Sequence, residues 1–333
     1  MSAAGELMRA EIAEQPDRWL TLLRDGRDAI DRAASLIRAS DPGILVFAAR
    51  GSSDHAAMYG QYLGQRLLGI PAMLATPATF TMYGAKLRYP RSAMIALSQS
   101  GESPDLLATV QDARRGSVPV IAVTNDAGSA LAGLGDVHVD ILAGPERSVA
   151  ATKTYTGELL ALYLTLSRAA GTGWHDLEER SVHAAAVAAD VIAGGEAAAL
   201  TDALGDAERV LVVGRGYSMA TAREGALKLM ETSAVAASGW SAADATHGPL
   251  GQVVPGTVVV ALRSGGESVS SFAAAAESRG GRVVTTAAVT VTDDALVPPV
   301  EIVPLQQAAL EVALRRDHDP DHPAGLAKVT RTV

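Results

Sequence analysis

Short apolar runs alternate with longer amphipathic stretches along most of the chain, and glycine- and serine-rich turns follow several of the runs. Ile44–Ala49 is one such run, and Val210–Val213 is another. Runs of this length predict buried strands, and the stretches after them predict helices that pack on those strands. The alternation of strand and helix predicts an α/β fold in which a parallel sheet is flanked by helices.

The pattern occurs twice along the chain. Gly216 lies 165 positions after Gly51 (216 − 51), and each glycine directly follows a predicted strand. The segment Ala261–Ser268 resembles Ala96–Ser103 at the same offset (261 − 96). Two landmarks with one offset indicate an internal duplication. Each half is therefore predicted to run strand, turn, helix, strand, turn, helix, strand.

The duplication predicts two tandem α/β domains, each a flavodoxin-like three-layer αβα arrangement. In such folds ligands bind at the carboxyl ends of the strands, where these turns lie. The predicted boundaries are 1–40 for leading helices, 41–165 for the first domain, 166–200 for connecting helices, 201–316 for the second domain and 317–333 for an irregular tail that carries Lys328.

Composition narrows the function classes. The chain has 333 residues, of which 48% are hydrophobic, so it can form two packed domains. Its net charge is −9 and it has no basic stripe, which argues against a nucleic-acid partner. The absence of cysteine excludes disulfides, thiolate metal sites and cysteine nucleophiles. Without an apolar run typical of a signal peptide or a membrane span, we expect a cytoplasmic protein with no membrane partner.

A serine-rich turn is the strongest candidate for ligand binding. Ser98–Ser103 follows an apolar strand and precedes a predicted helix, while Ser52 and Ser53 occupy the matching turn of the neighbouring strand. Backbone N–H groups at such a turn, together with serine hydroxyls, can bind a phosphate. The alternative is that these serines only cap helices, which is the commoner use of one such turn. Two adjacent turns with five serines favour the phosphate.

The corresponding turns of the second half differ. Arg263 and Gly265 replace two of the serines, so we expect only the first half to keep the phosphate site. Gly214–Met219 is a partial dinucleotide fingerprint, but its third glycine is missing. Ala234 stands where an acidic residue would bind a ribose, so nicotinamide binding is a weak alternative.

Three charged residues of the second half could move protons. Glu224, Lys228 and Glu231 have the spacing i, i+4 and i+7, which places them on one face of a predicted helix. That helix begins at the carboxyl end of a strand and is otherwise apolar, which argues against the alternative of a solvated face. His247 precedes a Gly-Pro pair that would fix a rigid turn, although a lone histidine is more often structural or solvent-exposed.

Two further histidines, His318 and His322, flank Pro320 among aspartates in the tail. This arrangement could suggest a metal, but a proline-broken loop of mixed composition is more typical of a solvated tail. We assign no metal.

Five strings of the sequence together resemble one family. The strings are Arg50–Ser53, Ser98–Leu106, Ala151–Thr154, Glu224–Glu231 and His247–Leu250. In this order they resemble the double sugar-isomerase-domain (SIS) family, which includes the isomerase half of glucosamine-6-phosphate synthase. The similarity covers nearly the whole chain and is closest to stand-alone isomerase-type glucosamine-6-phosphate deaminases.

The resemblance implies a substrate and a set of roles. It implies that a hexose 6-phosphate binds through Gly51, Ser52, Ser53, Ser98, Gln99, Ser100 and Ser103, while Val149 and Ala327 line the sugar site. Glu231 would move the proton between C1 and C2, with Lys228 in support. His247 would assist ring opening from the partner subunit of a homodimer with shared active sites, and Lys328 could form a Schiff base. No cofactor is required.

The resemblance also has departures. The synthase carries a glutaminase domain with a cysteine nucleophile, and this chain has no cysteine, so we expect no release of ammonia from glutamine. Ser103 replaces a threonine, and the tail differs after Lys328. We therefore predict deamination of glucosamine 6-phosphate to fructose 6-phosphate and ammonia. The alternatives are a fructosamine-6-phosphate deglycase and a sugar-phosphate sensor without turnover, although a sensor would not need Glu231 and His247.

Overall fold

The apolar runs form two separate parallel sheets, one in each of two compact units. The computed structural model describes residues 3–328. The first unit comprises residues 17–146 and 153–182, and the second comprises residues 3–16, 147–152 and 183–328. Each unit contains one sheet with helices packed against it, so the predicted α/β class is confirmed.

In the first unit, five parallel strands have the order β2-β1-β3-β4-β5. The strands are β1 (Ile44–Ala48), β2 (Ala72–Leu74), β3 (Ser92–Ser98), β4 (Val120–Thr124) and β5 (Val137–Asp140). The helices are α2 (Gln15–Asp25), α3 (Arg27–Ser40), α4 (Ser52–Leu68), α5 (Ala78–Thr81), α6 (Pro104–Arg115), α7 (Ala130–Leu134) and α8 (Lys153–Ala169). Helix α9 (Trp174–Gly194) begins in this unit.

In the second unit, four parallel strands have the order β7-β6-β8-β9. The strands are β6 (Arg209–Gly214), β7 (Ala236–Ser241), β8 (Thr257–Ala261) and β9 (Arg282–Thr285). The helices are α1 (Glu6–Ala13), α10 (Ala197–Leu204), α11 (Ser218–Ser233), α12 (Ala242–Ala245), α13 (Gly266–Ser278), α14 (Val297–Glu301) and α15 (Val303–Arg315). Short 3₁₀ helices cover Pro249–Gln252, Arg263–Gly265 and Asp294–Leu296.

The central strands β1, β3, β4, β6 and β8 are buried on both faces, as expected for a parallel sheet between helices, whereas the edge strands are partly exposed. On one face of the first sheet, Val46 and Met94 pack in a cluster with Leu106 and Val110 of α6. Their neighbour Phe47, which points to the opposite face, is also fully buried. The continuous apolar runs of the sequence therefore reflect burial on two sides, without polar alternation.

The backbone confirms the duplication at the offset of 165. Gly51 and Gly216 have φ values of 56° and 59°, and Gly101 and Gly266 have φ values of 65° and 66°. Both sheets share the order of their first four strands. The equivalent turns thus have the same geometry in both units, whatever their side chains.

Membrane-spanning segments were sought among residues 3–328. No single helix there has the length and hydropathy to cross a bilayer. Only α9 and α10 taken together, with a bend of 53° between them, satisfy the criterion of length and composition.

Candidate functional site

The serine-rich turn of the first unit directs hydroxyl groups outward. Ser98 is the last residue of β3, and its Oγ accepts a hydrogen bond from the Gly101 N–H at 3.1 Å. The Ser100 Oγ accepts one from the Glu102 N–H at 3.4 Å. Because the turn uses both oxygens as acceptors, each hydroxyl keeps its own hydrogen for donation to a ligand.

Gly101 makes this turn possible. Its φ of 65° lies in the left-handed region, and a Cβ at this position would come within 2.2 Å of the Ser129 Oγ. A side chain here would therefore displace the neighbouring chain as well as strain the backbone. The sequence marked this glycine through its repeat at Gly266, which has the same conformation.

The N-cap residue of α6 does not cap the helix with its side chain. Ser103 occupies the N-cap position with an extended conformation, but its side chain makes no capping hydrogen bond. A serine that only capped the helix would accept from a backbone N–H of the first turn. The Ser103 hydroxyl is thus left for a ligand. In the first turn of the helix Pro104 has no N–H and the Leu106 N–H bonds to the Asp105 carboxylate, so the helix dipole, more than free N–H groups, favours an anion there.

The neighbouring turn gives its two serines different surroundings. Gly51 precedes α4, which begins at Ser52. The Ser53 Oγ donates a 2.8 Å hydrogen bond to Oε1 of Glu158 on α8, and both side chains are buried. A hydroxyl has only one hydrogen, so Ser53 faces any ligand as an acceptor. The predicted part of Ser53 in gripping phosphate stays a prediction, and Gln99, half-buried in the first turn, stays one too.

In the second unit, the three charged residues of α11 form an ion-pair network. The Lys228 Nζ lies 3.2 Å from Oε1 of Glu224 and 2.6 Å from Oε2 of Glu231. The side chains of Glu224 and Lys228 are fully buried, whereas that of Glu231 is 23% exposed. The prediction that these residues share one face is confirmed, and a solvated face is excluded because only Glu231 reaches the surface.

The network keeps Lys228 charged. Burial alone would lower the pKa of this lysine, but the negative charges of Glu224 and Glu231 and their hydrogen bonds outweigh it and raise the pKa above its usual value. A positively charged Lys228 therefore lies 2.6 Å from the partly exposed carboxylate of Glu231. A carboxylate in this position can accept a proton from a ligand.

The tail lies over residues 147–152 of the same unit. The Lys328 Nζ donates to the backbone oxygen of Ser148 at 2.7 Å, and the Val149 N–H donates to the backbone oxygen of Asp321 at 3.2 Å. The Asp321 carboxylate accepts from two backbone N–H groups at the start of α1, those of Leu7 and Met8. The structure thus places Lys328 beside the backbone of Ser148, while the roles in a sugar site that the resemblance implies for Val149, Lys328 and the exposed Ala327 stay predictions.

A cavity of about 380 Å³ adjoins the exposed carboxylate of Glu231. Met230, Glu231 and residues 317–326 of the tail line it, among them His318 and His322. Both histidines are exposed, and the His322 Nδ1 lies 3.1 Å from the Asp319 carboxylate. Among residues 3–328, no cluster of three His, Asp or Glu side chains could hold a metal ion.

His247 lies apart from this network. It follows α12, its backbone N–H donates to the oxygen of Asp244 at 3.0 Å, and its side chain is exposed. The next residue, Gly248, begins a 3₁₀ helix with Pro249 in its first turn, so the rigid turn predicted after the histidine is present. Within the described part of the chain, the imidazole makes no hydrogen bond that would commit it to a structural role.

In the second unit, the turns that follow the strands surround a buried carboxylate, that of Glu301. Glu301, at the end of α14, is buried and faces the hydroxyls of Ser218, Ser264 and Thr221. Burial raises the pKa of Glu301, and the nearby hydroxyls only partly oppose the rise, since among residues 3–328 neither oxygen of its carboxylate has a hydrogen-bond partner. Ser218 is the equivalent of Ser53 at the 165-residue offset, so each unit has a buried glutamate near this serine.

The raised pKa of Glu301 predicts a pH-dependent gain in stability for Glu301→Gln. The folded state binds this proton more tightly than the unfolded chain, whose value is near 4.5, so the contribution to stability is lost as pH rises through the folded pKa. The variant has no such loss. Urea unfolding should therefore give a stability difference in favour of Glu301→Gln that grows from pH 4 to pH 8. A difference independent of pH would contradict this assignment.

Fold and site together define a duplicated α/β protein with a serine-rich turn in one unit and a carboxylate paired with a buried lysine in the other. A model of the SIS domain matches residues 40–168 and 203–301, more than half of the chain, and the protein belongs to this family. The predicted family membership and the fold of two SIS domains are thereby confirmed.

Several relatives are similar over nearly the whole chain. A glutamine–fructose-6-phosphate aminotransferase (isomerizing) from Thermococcus kodakarensis is 34% identical over 345 residues, which cover 96% of this chain and 57% of that protein. The chain thus spans little more than half the length of such relatives. A crystal structure from Silicibacter pomeroyi DSS-3, named provisionally as a phosphosugar isomerase, has 33% identity and a TM-score of 0.81, covering 95% of this chain and 99% of that one.

A further structure, the glucosamine-6-phosphate deaminase from Thermotoga maritima, has a TM-score of 0.76 at 20% identity. It covers 95% of this chain and 100% of its own, and at this identity the likeness shows the fold alone. The chain is therefore a member of the SIS-domain family, and it is related to the isomerase half of the aminotransferases.

Sequence reasoning missed several residues that shape these sites. Glu158 and Glu301 are buried partners of turn serines, and neither belongs to a motif. The sequence indicates them only as single acidic residues within apolar helices. A charge in such a place requires a polar partner. Asp321 joins the tail to α1 through its carboxylate, and nothing in the sequence indicates this role apart from the prolines around it.

Proposed function

We propose that the protein is a sugar-phosphate isomerase and deaminase that converts glucosamine 6-phosphate and water into fructose 6-phosphate and ammonia. The observation that carries the proposal is the partly exposed carboxylate of Glu231, which lies 2.6 Å from the ammonium group of the fully buried Lys228. Family membership supports the substrate class, because the relatives are named for sugar phosphates. This chain contains no cysteine, so its own residues offer no thiol nucleophile that would release ammonia from glutamine. Free ammonia is therefore the nitrogen species in the proposed reaction.

The substrate phosphate would bind to the serine-rich turn of the first unit. Ser98, Ser100 and Ser103 would donate hydroxyl hydrogens, and the dipole of α6 would favour the negative charge at its N-terminus. These donors contact a part of the substrate that does not react, so they orient it without taking part in the chemistry.

Glu231 would carry out the proton transfer in the open-chain sugar. Its carboxylate takes the proton from C2 of the 2-amino aldose and returns it to C1, while a second proton moves from the amine to O1, which leaves an imine at C2 and a hydroxyl at C1. Water adds to C2, the C–N bond breaks, and ammonia leaves with fructose 6-phosphate as the other product. One carboxylate beside both carbons suffices for these transfers.

His247 and Lys328 would serve the steps before proton transfer. A histidine titrates in the range needed to open the pyranose ring, and the exposed imidazole of His247 supports this role. The Lys328 amine could form a Schiff base with the sugar carbonyl. As part of the same proposal, the protein is a cytoplasmic homodimer in which His247 of one subunit serves the active site of the other.

Two alternatives remain. A fructosamine-6-phosphate deglycase would use the same residues to expel a substituted amine, which would need room beside Glu231 such as the cavity of about 380 Å³ there. A sensor would bind the sugar phosphate without turnover. A coupled assay for released amine, run on glucosamine 6-phosphate and on fructosamine 6-phosphates, separates the three. Ammonia from glucosamine 6-phosphate supports the proposal, and no turnover of any compound contradicts it.

The phosphate-binding role predicts the effect of Ser100→Ala. A hydrogen bond to a charged group contributes about 1.5–3 kcal/mol, so KM should rise about 10- to 100-fold. Because the phosphate is bound equally in the ground and transition states, kcat should change little. Steady-state kinetics measure both constants. A fall in kcat without a rise in KM would be inconsistent with this role.

A further inference from the structure

We propose that Arg50 sets the affinity of the serine-rich turn for phosphate by neutralising Asp105. The inference rests on the proposed function, since it concerns the same phosphate site. Arg50 lies in the turn between β1 and α4, and Asp105 lies in the first turn of α6. The pair therefore joins the two serine-containing turns of the first unit.

The geometry of the pair is asymmetric. The Arg50 Nε and Nη2 both contact Oδ2 of Asp105, at 2.7 and 2.6 Å. The other oxygen of Asp105 accepts from the Leu106 N–H at 2.8 Å. The Asp105 side chain is only 2% exposed, whereas that of Arg50 is 46% exposed. The carboxylate is thus satisfied and buried, while part of the guanidinium remains at the surface.

This carboxylate lies where it opposes anion binding. A negative charge in the first turn of a helix uses the same dipole and N–H groups that a phosphate would use. A doubly charged phosphate and an uncompensated buried carboxylate would repel each other strongly, because the surroundings screen them poorly. Arg50 cancels that charge through two contacts to one oxygen.

Arg50 can also contact the ligand directly. Within residues 3–328, its Nη1 has no hydrogen-bond partner, so at least two N–H groups remain for a phosphate oxygen. Guanidinium groups bind phosphate well because their donors lie in one plane. The serines supply neutral donors, and Arg50 adds charged N–H donors while Asp105 balances its charge.

The test measures the affinity for fructose 6-phosphate and for unphosphorylated fructose by calorimetry in four variants. Arg50→Gln should weaken binding of the phosphorylated sugar about 10- to 100-fold. Asp105→Asn keeps an acceptor for Leu106 and removes the charge, so it should bind at least as tightly as the wild type. The double variant should recover most of the loss. Arg115→Gln, which breaks a similar pair with buried Asp112 at the other end of α6, should have no effect.

The outcomes separate this inference from the proposed function. If the pair were only structural, Asp105→Asn would weaken binding as much as Arg50→Gln, and that result would overturn the inference. Unchanged affinity in a folded Arg50→Gln variant would overturn it too. A wild type that does not prefer the phosphorylated sugar would instead refute the proposed function. Thermal unfolding of each variant confirms that it is folded. If Arg50→Gln does not fold, Arg50→Lys, which keeps the positive charge, is measured in addition.

Discussion

Replacing Glu231 by glutamine should reduce kcat by about 100- to 10,000-fold while leaving substrate binding intact. The amide has nearly the same shape as the carboxylate, but it cannot accept and return a proton, which is the contribution that general acid–base catalysis makes. Glu231 is 23% exposed, so the substitution buries no new polar group. Turnover is measured by ammonia release, and the affinity for fructose 6-phosphate by calorimetry.

Glu311→Gln is the matched control for this variant. Glu311 is also a partly exposed helical glutamate in a cation pair, 2.7 Å from Arg9 on α1, but it lies outside the proposed site. It should retain wild-type turnover. If Glu231→Gln kept wild-type turnover as well, the assignment of the proton transfer to Glu231 would be wrong. If it lost turnover and affinity together, its role would lie in binding.

Lys228→Met should destabilise the fold by about 3–5 kcal/mol and abolish turnover. The side chain is fully buried between two carboxylates, and its removal takes the countercharge of Lys228 away from Glu224, itself 0% exposed. Breaking a buried ion pair by removing one partner has this cost because the remaining charge is neither solvated nor paired. Urea unfolding measures the change, with activity assayed where the variant remains folded.

Arg315→Met provides the comparison for the lysine variant. Arg315 pairs with Asp202 at 2.9 Å, but both side chains are more than half exposed. Exposed pairs contribute about 0–1 kcal/mol, so this variant should unfold close to the wild type. A Lys228→Met variant that was equally stable would show that the network is not needed to balance the buried charge of Glu224.

Much of the fold could be predicted from the sequence because the duplicated glycines mark turns with the same backbone conformation. Gly51, Gly101 and their repeats have positive φ values, which side chains other than glycine adopt with strain. The strands between them are buried on both faces, so their apolar runs are continuous and easily recognised. The helical spacing of Glu224, Lys228 and Glu231 likewise follows from local geometry, and the ion pairs confirm it.

Contacts between distant segments were beyond the sequence pattern. Ser53 and Glu158 are 105 positions apart, and nothing local indicates that the serine donates its hydrogen to that carboxylate. Arg50 and Asp105 were visible as residues of two motifs, but their pairing depends on the adjacency of β1 and β3 in the sheet. The edge strand β2 was missed because three residues form no recognisable run.

The most direct test of the central claim is proton exchange on fructose 6-phosphate in D₂O, followed by NMR. The account predicts that the wild type incorporates deuterium at C1 or forms the aldose, and that unphosphorylated fructose at the same concentration reacts far more slowly. Sugar phosphate that binds the wild-type protein and yet exchanges no carbon-bound hydrogen would contradict it, because binding would then occur without the chemistry assigned to Glu231.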